Sequence, residues 1–233
     1  MEPRNFQQVL AQTFVVVPAY NEGRVIHDVV AKLAAAFANI VVVNDGSSDD
    51  TAAVLKGLPV TVVRHHINLG QGAALQTGIT FALERGASHI VTFDADGQHR
   101  VEDALAALRL LAAGECDVVC GSRFLGTTSN IPPMRKLILK AAVGLGNLTT
   151  GTRMTDAHNG LRALSRKAAA CLDISQAGMA HASEIISQLH QHDMVIREVP
   201  VQIDYTEYSL AKGQSSLNSI DILVDLVIGR FLK

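Results

Sequence analysis

Short β-branched runs alternate along the chain with longer stretches of helical period. Residues 14–17, 40–44, 60–64, 89–93 and 117–121 are brief, rich in Val and Ile, and bounded by polar or turn-forming residues, which predicts five strands. The segments between them predict helices. Residues 22–37 place Val25, Val29, Leu33 and Phe37 on one stripe. A second helix begins near Ser48 or Asp49, either able to cap it, and ends by Gly57 and Pro59. Residues 72–85 close at Gly86, and residues 101–113 at Gly114. Strand and helix in turn predict an α/β fold, a Rossmann-like and mostly parallel sheet flanked by helices.

After Arg123 the rhythm changes. Residues 131–151 begin with Pro132 and Pro133 and continue as an apolar, weakly basic helix carrying Arg135, Lys136 and Lys140. Its composition suits a core or interface helix, or one lying against a lipid surface. A helix over 183–192, an extended run over 194–204 and an amphipathic helix over 217–231 follow. Asp221 and Asp225 lie one turn apart in the last, which is too short and too charged to span a bilayer.

Ligands of an open α/β sheet bind outside the carboxyl ends of the strands. Five predicted strands run out into Pro18-Ala19-Tyr20-Asn21-Glu22, Asn44-Asp45-Gly46-Ser47, His65-His66-Ile67-Asn68, Asp94-Ala95-Asp96-Gly97-Gln98-His99 and Gly121-Ser122-Arg123. Acids, amides, glycines and an arginine therefore gather on one rim. Asp94, Asp96 and Gln98 are spaced two apart, so an extended backbone offers three oxygens to one side. Such oxygens suit a hard divalent ion, Mg²⁺ or Mn²⁺; the competing reading is an Asp- and Gly-rich turn. Gly70-Gln71-Gly72 lacks the remainder of a dinucleotide or P-loop motif, and its small residues are expected to let a helix pack closely against a ligand or a strand.

Composition narrows the field further. The 233 residues are 48% hydrophobic and carry a formal charge of −2, enough to bury a core and without the basic excess of a nucleic-acid partner. Cys116, Cys120 and Cys171 are too few for a disulfide framework or a zinc cluster. No leader or membrane-spanning stretch is read, so the expectation is a single-domain cytoplasmic protein, in peripheral contact with the inner face of the membrane or with a small membrane partner protein.

Taken together, VVVPAYNE (15–22), VVVNDGSSDDT (41–51), NLGQGAALQTG (68–78), FDADGQH (93–99) and GSRF (121–124) resemble the family 2 glycosyltransferases of the GT-A fold. Within that family the chain is most similar to dolichol-phosphate and polyprenyl-phosphate mannosyl- or glucosyltransferases. The second half carries this likeness through Arg135, the 156–162 segment, Glu184 and Glu198-Val199-Pro200-Val201. Arg100-Val101 stands where the subgroup has Asp-Pro.

The resemblance implies a donor half over 1–125 and an acceptor half over 126–233. Pro18, Ala19, Tyr20, Glu22 and Asp45 would hold the nucleotide of a GDP- or UDP-sugar, with Gly72, Asp94 and Ala95 beside them. Asp94, Asp96 and Gln98 would hold the metal, and Arg123, Arg135 and Lys212 would neutralise phosphate. The implied reaction is an inverting transfer to a polyprenyl-phosphate or glycan acceptor in cell-envelope synthesis. A phosphate acceptor is already anionic, whereas a sugar hydroxyl needs a base, for which Asp156 and Glu184 are the candidates. Competing expectations are a nucleotidyltransferase and a non-catalytic module of the same fold.

Overall fold

The computed structural model describes residues 6–125, 143, 144, 147, 153–176, 178 and 180–204. The elements in order are α1 (Phe6–Ala11), β1 (Thr13–Ala19), α2 (Ile26–Ala34), β2 (Asn39–Asp45), α3 (Thr51–Val54), β3 (Thr61–His65), α4 (Gln71–Glu84), β4 (His89–Thr92), α5 (Val101–Ala112), β5 (Val118–Ser122), β6 (Arg162–Ser165), α6 (Arg166–Ala170), α7 (His181–Gln191) and β7 (Ile196–Pro200). The strands form one sheet in the order β3-β2-β1-β4-β6-β5-β7. Only β6 runs against its neighbours, β4 and β5; the pairs β1–β2, β1–β4, β2–β3 and β5–β7 are parallel.

Alternation along each strand divides the core between the two sheet faces. Val15, Val17, Val42 and Val91 face Val30 and Leu33 of α2 and Leu108 of α5. Val16, Ile90 and Val118 face Leu75 and Ile79 of α4 and Ile185 and Leu189 of α7. Helix α4 lies unusually close to the sheet, because a Cβ on Gly78 would fall 2.3 Å from Val16 Cγ1. A side chain there would push helix and strand apart.

The five expected strands are present, with ends shifted by one or two residues. The expected first helix starts later, at Ile26. Thr51 Oγ1 accepts from Glu22 N at 2.9 Å, and the Glu22 carbonyl accepts from Val25 and Ile26, so residues 21–25 close a loop against the β2 exit. Three short elements, α1, β6 and α6, are additions to the sequence reading. β6 has just two apolar residues, Ala163 and Leu164, between Arg162 and Ser165, too few for a periodicity to show. It nonetheless lies inside the sheet, so residues on either side of position 125 share one core. The expected helix over 131–151, apart from Val143, Gly144 and Asn147, and the one over 217–231 lie outside the described residues, as do Arg135 and Lys212. Among the described residues no helix is long and apolar enough to cross a membrane.

Candidate active site

Parallel pairing brings the carboxyl ends of β1 to β4 to one edge; antiparallel β6 starts at that edge, with Arg162 opposite Thr92 and Cys120, and β5, antiparallel to β6, ends there too. The 153–161 loop is thereby delivered to the rim. A cleft of about 490 Å³ opens there, lined by Pro18, Ala19, Tyr20, Glu22, Asp45, Asn68, Gly70, Gln71, Ala74, Asp94, Ala95 and Asp96. Eight of the expected binding residues thus share one cavity: Pro18, Ala19, Tyr20, Glu22, Asp45, Asp94, Ala95 and Asp96.

The first wall is tied down by a polar lattice. Ser47 Oγ accepts from Asn21 N at 3.0 Å, Asn21 Oδ1 accepts from Ser48 N at 2.9 Å, and Asp49 Oδ2 accepts from Gly23 N at 3.0 Å. Tyr20 stands at the mouth, 44% exposed. Asp45 is buried, and its acceptor positions are heavily used. Oδ1 takes His65 Nδ1 at 2.7 Å and Leu69 N at 2.9 Å; Oδ2 takes Gly70 N at 2.8 Å. His65 Nε2 in turn meets Thr77 Oγ1 of α4 at 2.9 Å.

The opposite wall holds the two acids that follow β4. The chain turns at residues 95–97, with Gly97 at φ +77°, rather than continuing extended. Asp94 and Asp96 therefore reach the cleft together while Gln98 does not line it; Gln98 donates its backbone N–H to Asp96 Oδ1 at 3.0 Å, and its carbonyl accepts from Asp204 N. Asp94 Oδ1 accepts from Gln71 Nε2 at 3.1 Å, and Oδ2 lies 3.0 Å from His99 Nε2. Burial works to raise the Asp94 pKa, but the His99 hydrogen bond and charge, with Arg162 and His181 behind, outweigh it and hold the carboxyl below its usual range. Asp96 goes the other way, pushed up to about 6 by burial and by the neighbouring Asp94 charge. Two hard oxygen donors whose negative charges repel each other fit a divalent cation. Among the described residues no group of three or more His, Cys, Asp or Glu side chains could hold one unaided, so water or a ligand must supply the remaining positions, as Mg²⁺-type sites require.

Gly72 serves packing. A Cβ there would lie 2.0 Å from the Gln176 carbonyl oxygen and 3.0 Å from His181 Cβ, so its bareness lets α4 meet Ile174, Gln176 and His181. Gly160 does the same for the acids, since its Cβ would overlap Asp94 Oδ2 at 2.0 Å.

Beyond the cleft, Asp156 is buried and Oδ2 accepts from Arg123 Nε at 2.6 Å and from Arg123 N at 3.1 Å. Glu198 on β7 fixes this loop, accepting from Thr155 N, Thr155 Oγ1 and Asp156 N at 2.8–3.0 Å. Its carboxylate was legible only as part of a motif; its partner loop was not. Arg100 holds Asp204 through two hydrogen bonds of 2.8 and 3.0 Å, tying the β4 exit to the segment after β7. Cys120 is buried within β5, and burial pushes its thiol up to about 12, which disfavours the thiolate.

Glu184 is committed elsewhere. Both its oxygens accept from the 175–176 segment, from Ser175 N and Oγ and from Gln176 N at 2.6–3.2 Å, and it does not line the cleft. A carboxylate so engaged clamps this loop. Glu184→Ala is accordingly expected to lower stability by about 1–3 kcal/mol through unpaired turn donors, while the folded fraction keeps a kcat within a few-fold of the parent. A urea melt and a transfer assay on the same sample check this.

A Rossmann-like sheet with one antiparallel strand and a cleft across its carboxyl edge is the architecture of the GT-A fold. Residues 14–173 match the model for glycosyl transferase family 2, and the chain belongs to that family. It is 32% identical over 240 residues to the UDP-N-acetylglucosamine–dolichyl-phosphate N-acetylglucosaminyltransferase of Methanococcus voltae, covering 92% of this chain and 94% of that one. It is 30% identical over 218 residues to the polyprenol monophosphomannose synthase of Mycolicibacterium smegmatis, covering 88% and 82%. The glucosyl-3-phosphoglycerate synthase of Mycobacterium tuberculosis, solved with Mn²⁺, UDP and glucosyl-3-phosphoglycerate, shares the fold, with a TM-score of 0.69 at 19% identity over 97% of this chain and 85% of that one. The chain is thus a glycosyltransferase, and the nucleotidyltransferase and non-catalytic readings fall away.

Proposed function

We propose that this chain moves a hexose from a nucleoside diphosphate-sugar to a polyprenyl-phosphate acceptor, with inversion at the anomeric carbon. The carrying observation is one cleft lined both by Tyr20 and Asp45 and by Asp94 and Asp96. Asp45 ends β2 and Asp94 follows β4, two strands over, so the two ends lie about 10 Å apart at the usual strand spacing. That span suits a nucleoside at one end and its diphosphate at the other. The named activities of the Methanococcus voltae and Mycolicibacterium smegmatis relatives support the acceptor class.

Asp94 and Asp96 would hold Mg²⁺ or Mn²⁺, which when bound offsets the charge of the departing diphosphate. Arg123, aimed by Asp156, supplies a further positive charge near the reacting groups, with Arg135 and Lys212 as additional phosphate partners. A lipid phosphate attacks as an anion, so neither Asp156 nor Glu184 needs to take a proton. In this reading residues 1–125 grip the donor and 126–233 the acceptor, at the surface of the membrane that holds the lipid.

The test is a product assay with radiolabelled UDP- and GDP-hexoses and purified polyprenyl phosphate in detergent. Label should move into the organic phase only when Mg²⁺ or Mn²⁺ is present, and the product anomer should be opposite to that of the donor. Label that stays in the aqueous phase with every donor would overturn the acceptor assignment.

A further inference from the structure

The two acids that follow β4 are held unequally. Asp94 meets Gln71 Nε2 and His99 Nε2 and packs against Gly160. Asp96 has one described hydrogen bond, from the N–H of Gln98, while the charges of Asp94 and Glu22 both press on it. A turn that carries such an acid needs a restraint from outside, because repulsion alone would open it.

That restraint comes from the run after β7. Val201 and Ile203 are buried in the core that also holds Phe93 and Ala95, and the alternate residues Gln202 and Asp204 meet residues 98–103. Asp204 N donates to the Gln98 carbonyl at 2.9 Å, and the Asp204 carboxylate accepts from Arg100 Nε at 2.8 Å and Nη2 at 3.0 Å. Gln202 N donates to Asp103 Oδ2 at 2.9 Å, and Gln202 Nε2 to Asp204 Oδ1 at 3.3 Å. Gln98 is therefore held on both sides, its N–H by Asp96 and its carbonyl by Asp204. The Arg100 fork fixes the orientation of the Asp204 carboxylate as well as its charge, and Arg100 directly precedes α5. A continuous path thus runs from Asp96 through Gln98 and Asp204 to the start of a packed helix.

We infer that Arg100 and Asp204 are a positioning pair for the divalent ion, holding the Gln98 peptide so that Asp96 stays beside Asp94. This rests on Asp94 and Asp96 binding that ion, and it places part of the control of its affinity on the run after β7. Neither member lines the cleft, so both act through Gln98. Their side chains are 41% and 45% exposed, and an ion pair so placed contributes little to stability. Its effect is on geometry. Losing the partner that orients a metal ligand costs about 10–100-fold in affinity, and this pair stands one residue further out, so the expected effect is about 3–10-fold.

Titration of Mn²⁺ into the full chain, followed by loss of the paramagnetic resonance signal of the free ion, tests this. Arg100→Ala and Asp204→Ala should each raise the dissociation constant about 3–10-fold, and the double variant should do no more than the larger single one, because the two side chains act as a unit. Arg100→Lys, which keeps the charge and loses the fork, should recover part of the affinity. The thermal midpoint should fall by no more than about 2–4 °C in any of them. Unchanged Mn²⁺ affinity in both single variants, with or without a lower midpoint, would make the pair merely structural and overturn the proposal. Losses that add in the double variant would overturn the pairing. Asp96→Ala on the same titration checks the underlying metal site: Mn²⁺ binding that survives it, or that is absent from the parent chain, would remove the metal assignment itself and the proposal with it.

Discussion

Asp96→Ala is expected to lower sugar transfer by about 10³-fold, the scale on which a charge-stabilising group at a reacting centre is felt, with the fold retained. Asp96 sits on a turn and its single described hydrogen bond is to Gln98 N, so little packing is lost. Its charge is moreover disfavoured in the ligand-free protein, where burial and the Asp94 carboxylate push its pKa up to about 6. Removing that carboxylate should therefore leave the thermal midpoint unchanged or slightly raised. Activity and a melting curve on one preparation separate the two effects. A loss of activity accompanied by unfolding would make Asp96 structural, and retained activity at saturating metal would take it out of the metal site.

Asp156→Ala should act on both stability and turnover. The carboxylate is 1% exposed and pairs with an Arg123 side chain that is 13% exposed. Deleting the acid removes the buried carboxylate that this guanidinium pairs with, an effect of about 3–5 kcal/mol when an ion pair is buried. Partial exposure of the arginine places the expectation at the low end, about 3 kcal/mol. The guanidinium, no longer aimed, should also cost about 10²-fold in kcat if it faces developing phosphate charge. Denaturant unfolding measures the first and steady-state kinetics the second. Asp156→Asn retains an acceptor for Arg123 and should recover much of the stability; a variant in which stability returns and kcat does not would point to direct proton transfer by Asp156 rather than to positioning.

What could be read from the sequence follows from how local each signal is. β1, β2 and β4 are buried on both faces, and their runs of Val and Ile betray them without any tertiary information. The strand-exit acids were legible for the same reason, since they stand directly after those runs. β6 was not, because its pairing with β4 and β5 is antiparallel and long-range, and its four residues carry no period. The turn at 95–97 removed Gln98 from the cleft, which an assumption of extended backbone could not foresee. His65 illustrates the middle case. Once β2 and β3 are known to be parallel, register alone places it beside Asp45. Glu184 stands in the sequence as a candidate base, but its hydrogen-bond partners come from a segment eight and nine residues earlier that carries no sequence signature.

The most direct examination is a crystal structure of the chain with Mn²⁺ and whichever nucleoside diphosphate binds most tightly, using anomalous scattering to locate the metal. The account predicts one metal peak bound by the Asp94 and Asp96 carboxylates and by the diphosphate, with the base at Asp45. A metal peak away from both aspartates, or a nucleotide found outside this cleft at saturating concentration, would contradict it.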